Sequence, residues 1–299
     1  MKDEMTSGGR ESRVTGHGSL LLGATAGALL LATTLASAQE VKDGGPYVPT
    51  PQKVVEAMLD LAAVRATDYV MDLGSGDGRI VITAATRHRA SGMGVDIDQE
   101  LVDRANAAAR KLGVAERVQF VKQDVQITDI RRASVLTLYL LPGMMSALRP
   151  RFLKELRPGT RIVSHDFELG EWKPDRTIEV ETPEKYDLSG TWTSNVHLWV
   201  VPAPVHGAWQ GALPGASGGS FRLEFNQAYQ RIEGKVTRNG RSVALKDAQV
   251  DGPRLRFSVP RPAGGGTETF EATVNGDRMA GEIKADGAAP AKWSASKAP

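Results

Sequence analysis

Asp72, Gly74, Gly76 and Gly78 alternate in the stretch Val70-Met71-Asp72-Leu73-Gly74-Ser75-Gly76-Asp77-Gly78-Arg79-Ile80. A carboxylate followed by three spaced glycines brings a negative charge and bare backbone to one point. That is chemistry for holding a ligand close to the main chain. A dinucleotide fingerprint, G-x-G-x-x-G, would need its third glycine where Arg79 stands. A phosphate loop would need Gly-Lys-Ser/Thr after a longer loop, and the stretch lacks it. Asp72 would repel a pyrophosphate, but it suits a ligand that carries a positive amine.

Other acids and rings recur at the ends of apolar runs. Asp96 lies twenty residues beyond Gly76, in Gly94-Val95-Asp96-Ile97-Asp98. A carboxylate there can accept hydrogen bonds from ribose hydroxyls. It could also cap the next helix, a job for which Asp98 is better placed. Asp124 and Val125 follow Val118-Gln119-Phe120-Val121, and Asp124 is either a ligand contact or a turn former. Tyr139 lies near the end of the run Val135 to Pro142, where it lines a site or packs. His165, Asp166 and Glu168 close the run from Arg161 and could move a proton. Each has a plain alternative: a packed histidine, a loop cap and a solvated charge. Tyr47 and Thr50 stand just ahead of the first helix.

The elements that position these residues read as strands alternating with helices. Thr50 is the expected N-cap of a helix with Pro51 at its first position, and Val54, Val55, Met58, Leu59 and Ala62 on its apolar face. Val70–Leu73 is a buried strand running into a helix at Ile80. Leu101, Ala105, Ala108, Ala109 and Leu112 mark a helix face closed by Gly113. Val135 to Pro142 suits a central strand buried on both faces. Leu148, Phe152, Leu153 and Leu156 follow on a helix interrupted near Pro150 and ended by Pro158-Gly159. Strands at 161–167, 177–182 and 191–201 complete an α/β, doubly wound, parallel sheet. Ligands of such sheets bind at the carboxyl ends of the strands, where the glycine loop, Asp96, Asp124, Tyr139 and His165-Asp166 all fall.

The pattern Asp-x-Gly-x-Gly-x-Gly resembles motif I of the class I S-adenosylmethionine-dependent methyltransferases, whose sheet is Rossmann-like. Their donor has an ammonium, a sulfonium and a ribose, and no phosphate. The resemblance narrows with Val48-Pro49-Thr50-Pro51, Leu140-Leu141-Pro142-Gly143-Met144-Met145, Ser164-His165-Asp166-Phe167 and Trp172-Lys173-Pro174. Together these are similar to the lysine methyltransferases of the ATP-synthase c-subunit and the adenine nucleotide translocase, and to their bacterial relatives, over residues 46–202. The resemblance implies S-adenosyl-L-methionine as cofactor. It implies contacts from Tyr47, Thr50, Asp72, Gly74, Ser75, Gly76, Gly78, Arg79, Asp96, Ile97, Asp124 and Val125, with Asp124 toward the adenine amine. It implies in-line transfer to a neutral amine, with Asp166, His165 and Tyr139 as catalytic candidates and no metal. Asn/Asp-Pro-Pro-Tyr is missing after the central strand, which argues against the adenine- and glutamine-methylating families. A small-molecule methyltransferase and a non-catalytic envelope protein keeping the fold stay open, and Asp72 and Arg79 disfavour an oxidoreductase.

The chain has 299 residues, 41% hydrophobic and 24% charged, which suits about two folded domains. A net charge of +2 marks no nucleic-acid binder, and the absence of cysteine excludes disulfides and thiolate chemistry. Leu20 to Leu35 is an apolar run before Ala36-Ser37-Ala38, read as a secretory signal peptide or N-terminal anchor over residues 1–38. Export to the periplasm or cell envelope, or membrane association through this segment, is the expectation. Pro202-Ala203-Pro204 reads as a linker to a small β-rich domain over 206–299. There Phe221, Leu223 and Phe225 alternate, and Asn239-Gly240, Asp251-Gly252, Asn275-Gly276 and Asp286-Gly287 are hairpin dipeptides. The reading is an antiparallel meander or a partly closed barrel, with Trp209, Phe270 and Trp293 in its core.

Overall fold

The computed structural model describes residues 47–185, 190–213, 219–261 and 265–299. The apolar run and the cleavage-like site near the N-terminus lie outside the described residues. No helix among the described residues is long and apolar enough to cross a membrane.

The first sheet has seven strands: β1 (Tyr69–Leu73), β2 (Ser91–Asp96), β3 (Val118–Lys122), β4 (Val135–Leu138), β5 (Arg161–His165), β6 (Arg176–Glu181) and β7 (Thr193–Val200). Their order is β3-β2-β1-β4-β5-β7-β6. The sheet is mixed and not wholly parallel, because β7 runs against both of its neighbours. The hairpin joining β6 to β7 reverses the chain without a crossover helix. Successive residues of β1, β4 and β5 face opposite cores. Val70, Val135 and Val163 pack with Val54, Val55, Met58 and Leu59 of α1 (Gln52–Leu61). Met71, Leu136 and Ile162 pack with Met145, Leu148 and Phe152 of α4 (Pro142–Glu155). A third cluster joins α2 (Arg79–His88) and α3 (Gln99–Lys111) to β3.

Several local expectations are corrected. The central strand stops at Leu138, and Pro142 opens α4 at a position where its missing N–H costs nothing. Pro150 lies inside α4 without ending it, since burial of Met145, Leu148 and Phe152 on both sides of it outweighs one lost backbone bond. Leu112, placed on the buried face of α3, is exposed at its C-cap.

The second sheet comprises β8 (Gly207–Ala212), β9 (Ser220–Ala228), β10 (Arg231–Arg238), β11 (Arg241–Ala244), β12 (Lys246–Asp251), β13 (Arg254–Pro260), β14 (Thr267–Asn275), β15 (Arg278–Ala285) and β16 (Ala291–Lys297). The expected meander closes further, into a ring. β8 pairs with β9 on one side and β16 on the other, and β9 also pairs with β10. Eight strands therefore close on themselves, with β11 as an arm on β10. Inward residues Trp209, Phe221, Phe257, Phe270 and Trp293 fill the interior, which is how a barrel of this strand number is packed. The glycines of all four dipeptides fall in hairpin turns, while Asp251 and Asn275 are the last paired residues of the strands before theirs. Asn239 and Gly240 both take positive φ (48° and 76°), the primed-turn geometry that matches strand twist.

The segment Pro202-Ala203-Pro204 is not a loose linker. Ala203 and Val205 are fully buried in the barrel core, and Ala203 N donates to Gly252 O at 2.8 Å. The barrel also docks on the first sheet through Trp172. Its Nε1 donates to Gln230 Oε1 at 2.8 Å and its ring stacks on Tyr229 at 5.7 Å.

Candidate active site at the carboxyl ends of the strands

The turn after β1 is built to keep its backbone bare. Gly74, Gly76 and Gly78 have φ of 79°, 52° and 79°, a region closed to most side chains. A Cβ on Gly76 would lie 2.5 Å from the Tyr47 ring, and one on Gly74 would lie 2.8 Å from Leu140. Gly74 N and Ser75 N both donate to Val95 O at 2.9 Å, which ties the turn to β2. Ser75 Oγ is buried and has no partner among the described residues.

Asp96 faces this turn. Its Oδ2 accepts from Gly76 N at 2.8 Å and its Oδ1 from Asp98 N at 2.9 Å. A carboxylate has about four acceptor sites, so about two remain. Ile97 is half-buried beside it. The helix cap falls to Asp98, which accepts from Glu100 N at 2.9 Å.

Asp72 is buried under the turn, where Thr137 Oγ1 donates to its Oδ1 at 2.7 Å. Burial pushes its pKa up to about 7; the Thr137 bond opposes the rise, and the charges of Asp96 and Asp77 add to it. A carboxyl in such a place is short of a cation.

Arg79 turns outward from the glycines. Its Nε and Nη2 donate to Asp77, at 2.9 and 2.6 Å, and its Nη1 donates to Thr50 O at 2.8 Å. It thereby straps the N-terminal segment across the turn. Burial raises the Asp77 pKa, but the bonds and charge of Arg79 outweigh it and hold Asp77 below the usual range. Burial and the Asp77 charge push the Tyr47 phenol up. Thr50 does not cap α1: Pro51 holds the N-cap position without a side-chain bond. The Thr50 side chain points instead to His165, with Oγ1 and Nδ1 3.3 Å apart.

Asp124 is exposed. Its Oδ1 accepts from Gln126 N at 2.8 Å, which shapes the turn, while Val125 is buried. Glu168 pairs with Lys173 at 2.8 Å in solvent.

At the end of β5 the chain brings together more than the sequence suggested. The His165 ring lies 4.0 Å from the Tyr139 ring, centroid to centroid, and its Nε2 is 3.0 Å from Ser194 Oγ. Burial pushes the His165 pKa down to about 4; Asp166 opposes this and Lys185 adds to it. The ring is neutral at pH 7. Burial, with the Asp166 charge, raises the Tyr139 phenol. Asp166 sits at φ 61°, and its Oδ1 accepts from Asn195 N at 3.0 Å. Its Oδ2 is paired with Lys185 Nζ. Thr137, Lys185 and Ser194 were not foreseen. Thr137 lay within a run read only for its apolarity, and Lys185 and Ser194 belong to no spaced motif.

The ANTKMT methyltransferase domain matches residues 72–176. A protein-lysine N-methyltransferase of Saccharolobus islandicus is 44% identical over 157 residues, covering 52% of this chain and 93% of that protein. The ATP-synthase c-subunit lysine N-methyltransferase of Mus musculus is 32% identical over 184 residues, 60% of this chain and 74% of that protein. A solved structure described as an RNA methyltransferase from Salinibacter ruber, in complex with S-adenosyl-L-homocysteine, is 47% identical. It covers 53% of this chain and 96% of its own, with a TM-score of 0.48. On these matches this chain belongs to the ANTKMT-type family of methyltransferases, and it is an enzyme whose cofactor is S-adenosylmethionine.

Proposed function

We propose that the enzyme transfers a methyl group to the ε-amine of lysine in a protein acceptor. The reading is carried by its 44% identity to a protein-lysine N-methyltransferase across 93% of that protein's length. When bound, the cofactor supplies an electrophilic methyl on a sulfonium.

The residues present fit this group. The positive-φ glycines leave room over bare backbone, and the buried Asp72 lacks a cationic partner among the described residues. In this reading Asp72 faces the cofactor's ammonium, and Asp96 accepts from the ribose hydroxyls with its remaining lone pairs. Gly74, Ser75, Gly76 and Gly78 offer backbone and one hydroxyl. Tyr47 and Thr50 cover the turn, strapped there by Arg79. Ile97, Asp124 and Val125 border the adenine side.

Lysine with an ordinary pKa of about 10.4 is only about 0.04% neutral at pH 7. The acceptor side must therefore desolvate the amine or relieve it of a proton. Tyr139 and the neutral His165 form an aromatic wall there, and Asp166 is the nearby carboxylate. The protein's main contribution is to hold the two reactants in line.

A radiolabelled methyl-transfer assay on total cell extract, resolved by size and hydrolysed to amino acids, tests this. Label is expected in methyl-lysine from protein. Label only in metabolites or RNA would overturn it. We also propose that residues 1–38 export or anchor the enzyme, supported by the Leu20–Leu35 run and Ala36-Ser37-Ala38. An intact N-terminus on soluble cytosolic protein, by mass spectrometry, would refute that.

A further inference from the structure

Lys185 ends a short 3-10 turn, Pro183–Lys185, in the hairpin between β6 and β7. This hairpin stands at the same end of the sheet as the glycine turn, because β6 runs toward it and β7 away from it. The Lys185 ammonium donates to Asp166 Oδ2 and, at 3.1 Å, to Ser194 Oγ. Both members of the ion pair are largely withdrawn from water, with side chains 11% and 17% exposed. An ion pair at such depth adds little stability, because desolvation offsets attraction. Its presence needs another reason.

The surroundings suggest one. Asp166 and Ser194 offer oxygen acceptors. His165 Nε2 is 3.4 Å from Asp166 Oδ2, and the Tyr139 ring packs on the imidazole. A carboxylate, a hydroxyl and nearby rings are what a primary ammonium seeks, with its three donors and its attraction to aromatic faces. The wall is also continuous with the cofactor cradle. β5 lies beside β4 and β4 beside β1, and Leu140, next to Tyr139, touches Gly74. A lysine brought to this wall by an acceptor protein would carry the same group that Lys185 already places there.

We propose that Asp166, Ser194, His165 and Tyr139 form the seat for the acceptor's primary ammonium, and that Lys185 occupies this seat in the free enzyme as an internal stand-in. The acceptor displaces it. This rests on the lysine reading above. Displacement frees the turn, which is held by Thr182 N to Trp192 O at 2.7 Å, Lys185 N to Thr182 O at 3.0 Å and a Thr182–Ser194 hydroxyl contact at 3.2 Å.

The test uses n-butylammonium as probe, with binding followed by calorimetry on the full chain. Lys185→Ala is expected to bind it at least tenfold more tightly than the parent, and Asp166→Asn added to that variant is expected to abolish the gain. Equal binding by the parent and Lys185→Ala, or a gain that survives Asp166→Asn, overturns the proposal. Should Lys185→Ala fail to fold, Lys185→Met keeps the stem and serves in its place. An independent measurement needs no variant: saturating n-butylammonium should speed amide exchange of residues 182–185 in the parent protein. Unchanged exchange counts against displacement. Lysine methylation by the parent protein with no amine gain in Lys185→Ala sinks the seat and leaves the lysine reading. The expected amine binding with label only on RNA or metabolites sinks the lysine reading, and with it the seat's role for an acceptor.

Discussion

The hydroxyl of Thr50 and the Nδ1 of His165 lie 3.3 Å apart across 115 residues of chain. Both groups are buried. This contact ties the segment ahead of α1 to the end of β5, while Arg79 holds the Thr50 carbonyl from the other side. The N-terminal segment is thus fixed at two points over the glycine turn.

Thr50→Val keeps the shape and removes the hydroxyl, leaving a buried ring nitrogen short of a partner. Stability should fall by about 1–3 kcal/mol, read by urea denaturation. Affinity for S-adenosylhomocysteine should weaken as well, because the segment that carries the Tyr47 ring over Gly76 loses one of its two ties. Unchanged affinity would remove this segment from the cofactor site.

Asp96→Ala takes away the acceptor for Gly76 N and Asp98 N, together with the oxygens assigned to the ribose. Hydrogen bonds to a charged group contribute about 1.5–3 kcal/mol each, so cofactor binding should weaken by on the order of a hundredfold. Calorimetry with S-adenosylhomocysteine decides. Asp124→Ala should cost far less, because that side chain is exposed and shapes a turn.

Asp72 gives a pH signature. Its folded pKa of about 7 stands above the usual 3.8, so ionising it is easier in the unfolded chain. The associated stability is whole below about pH 4 and is lost as pH rises to about 7. Three pKa units correspond to about 4 kcal/mol. Without cofactor, Asp72→Asn should match the parent near pH 4 and exceed its stability by up to about 4 kcal/mol at pH 8. It should also bind the cofactor more weakly, since an amide does not attract an ammonium. Denaturant midpoints at pH 4, 6 and 8 check the first half, and calorimetry the second.

Gln230→Leu should loosen the union of the two sheets. Trp172 is fully buried, and Gln230 takes its only indole proton. The orphaned N–H should cost about 1–3 kcal/mol. If the sheets unfold as one unit in the parent, tryptophan fluorescence and circular dichroism should give coincident melts there and separated melts in the variant.

The glycine turn was legible because its requirement is local. Positive φ at Gly74, Gly76 and Gly78 selects glycine wherever the rest of the chain goes, and Asp72 and Asp96 stand at fixed distances from it. Asp98 as helix cap was readable for the same reason. The Thr50–His165 contact was not, since Thr-Pro ahead of an apolar helix equally describes an N-cap, and only packing across the sheet decides. Lys185 reaches Asp166 by a hairpin whose length encodes no spacing rule. In the second domain, alternation and Asn/Asp-Gly pairs revealed strands and turns. Closure depends on β8 meeting β16, some eighty residues away, a pairing that no local pattern records.

That meeting of first and last staves has a consequence for how the molecule behaves among its own copies. A ring closed this far leaves water little raw rim of unmated amides beyond the short β11 arm and the single-rung β10–β12 seam, and such a rim is the feature through which flat sheets stick to one another. Were β16 to peel off, β8 and β15 would both be uncovered at once, and a neighbour's β16 could dock in the gap. Exchange of this stave between molecules would be one way to link one barrel to another.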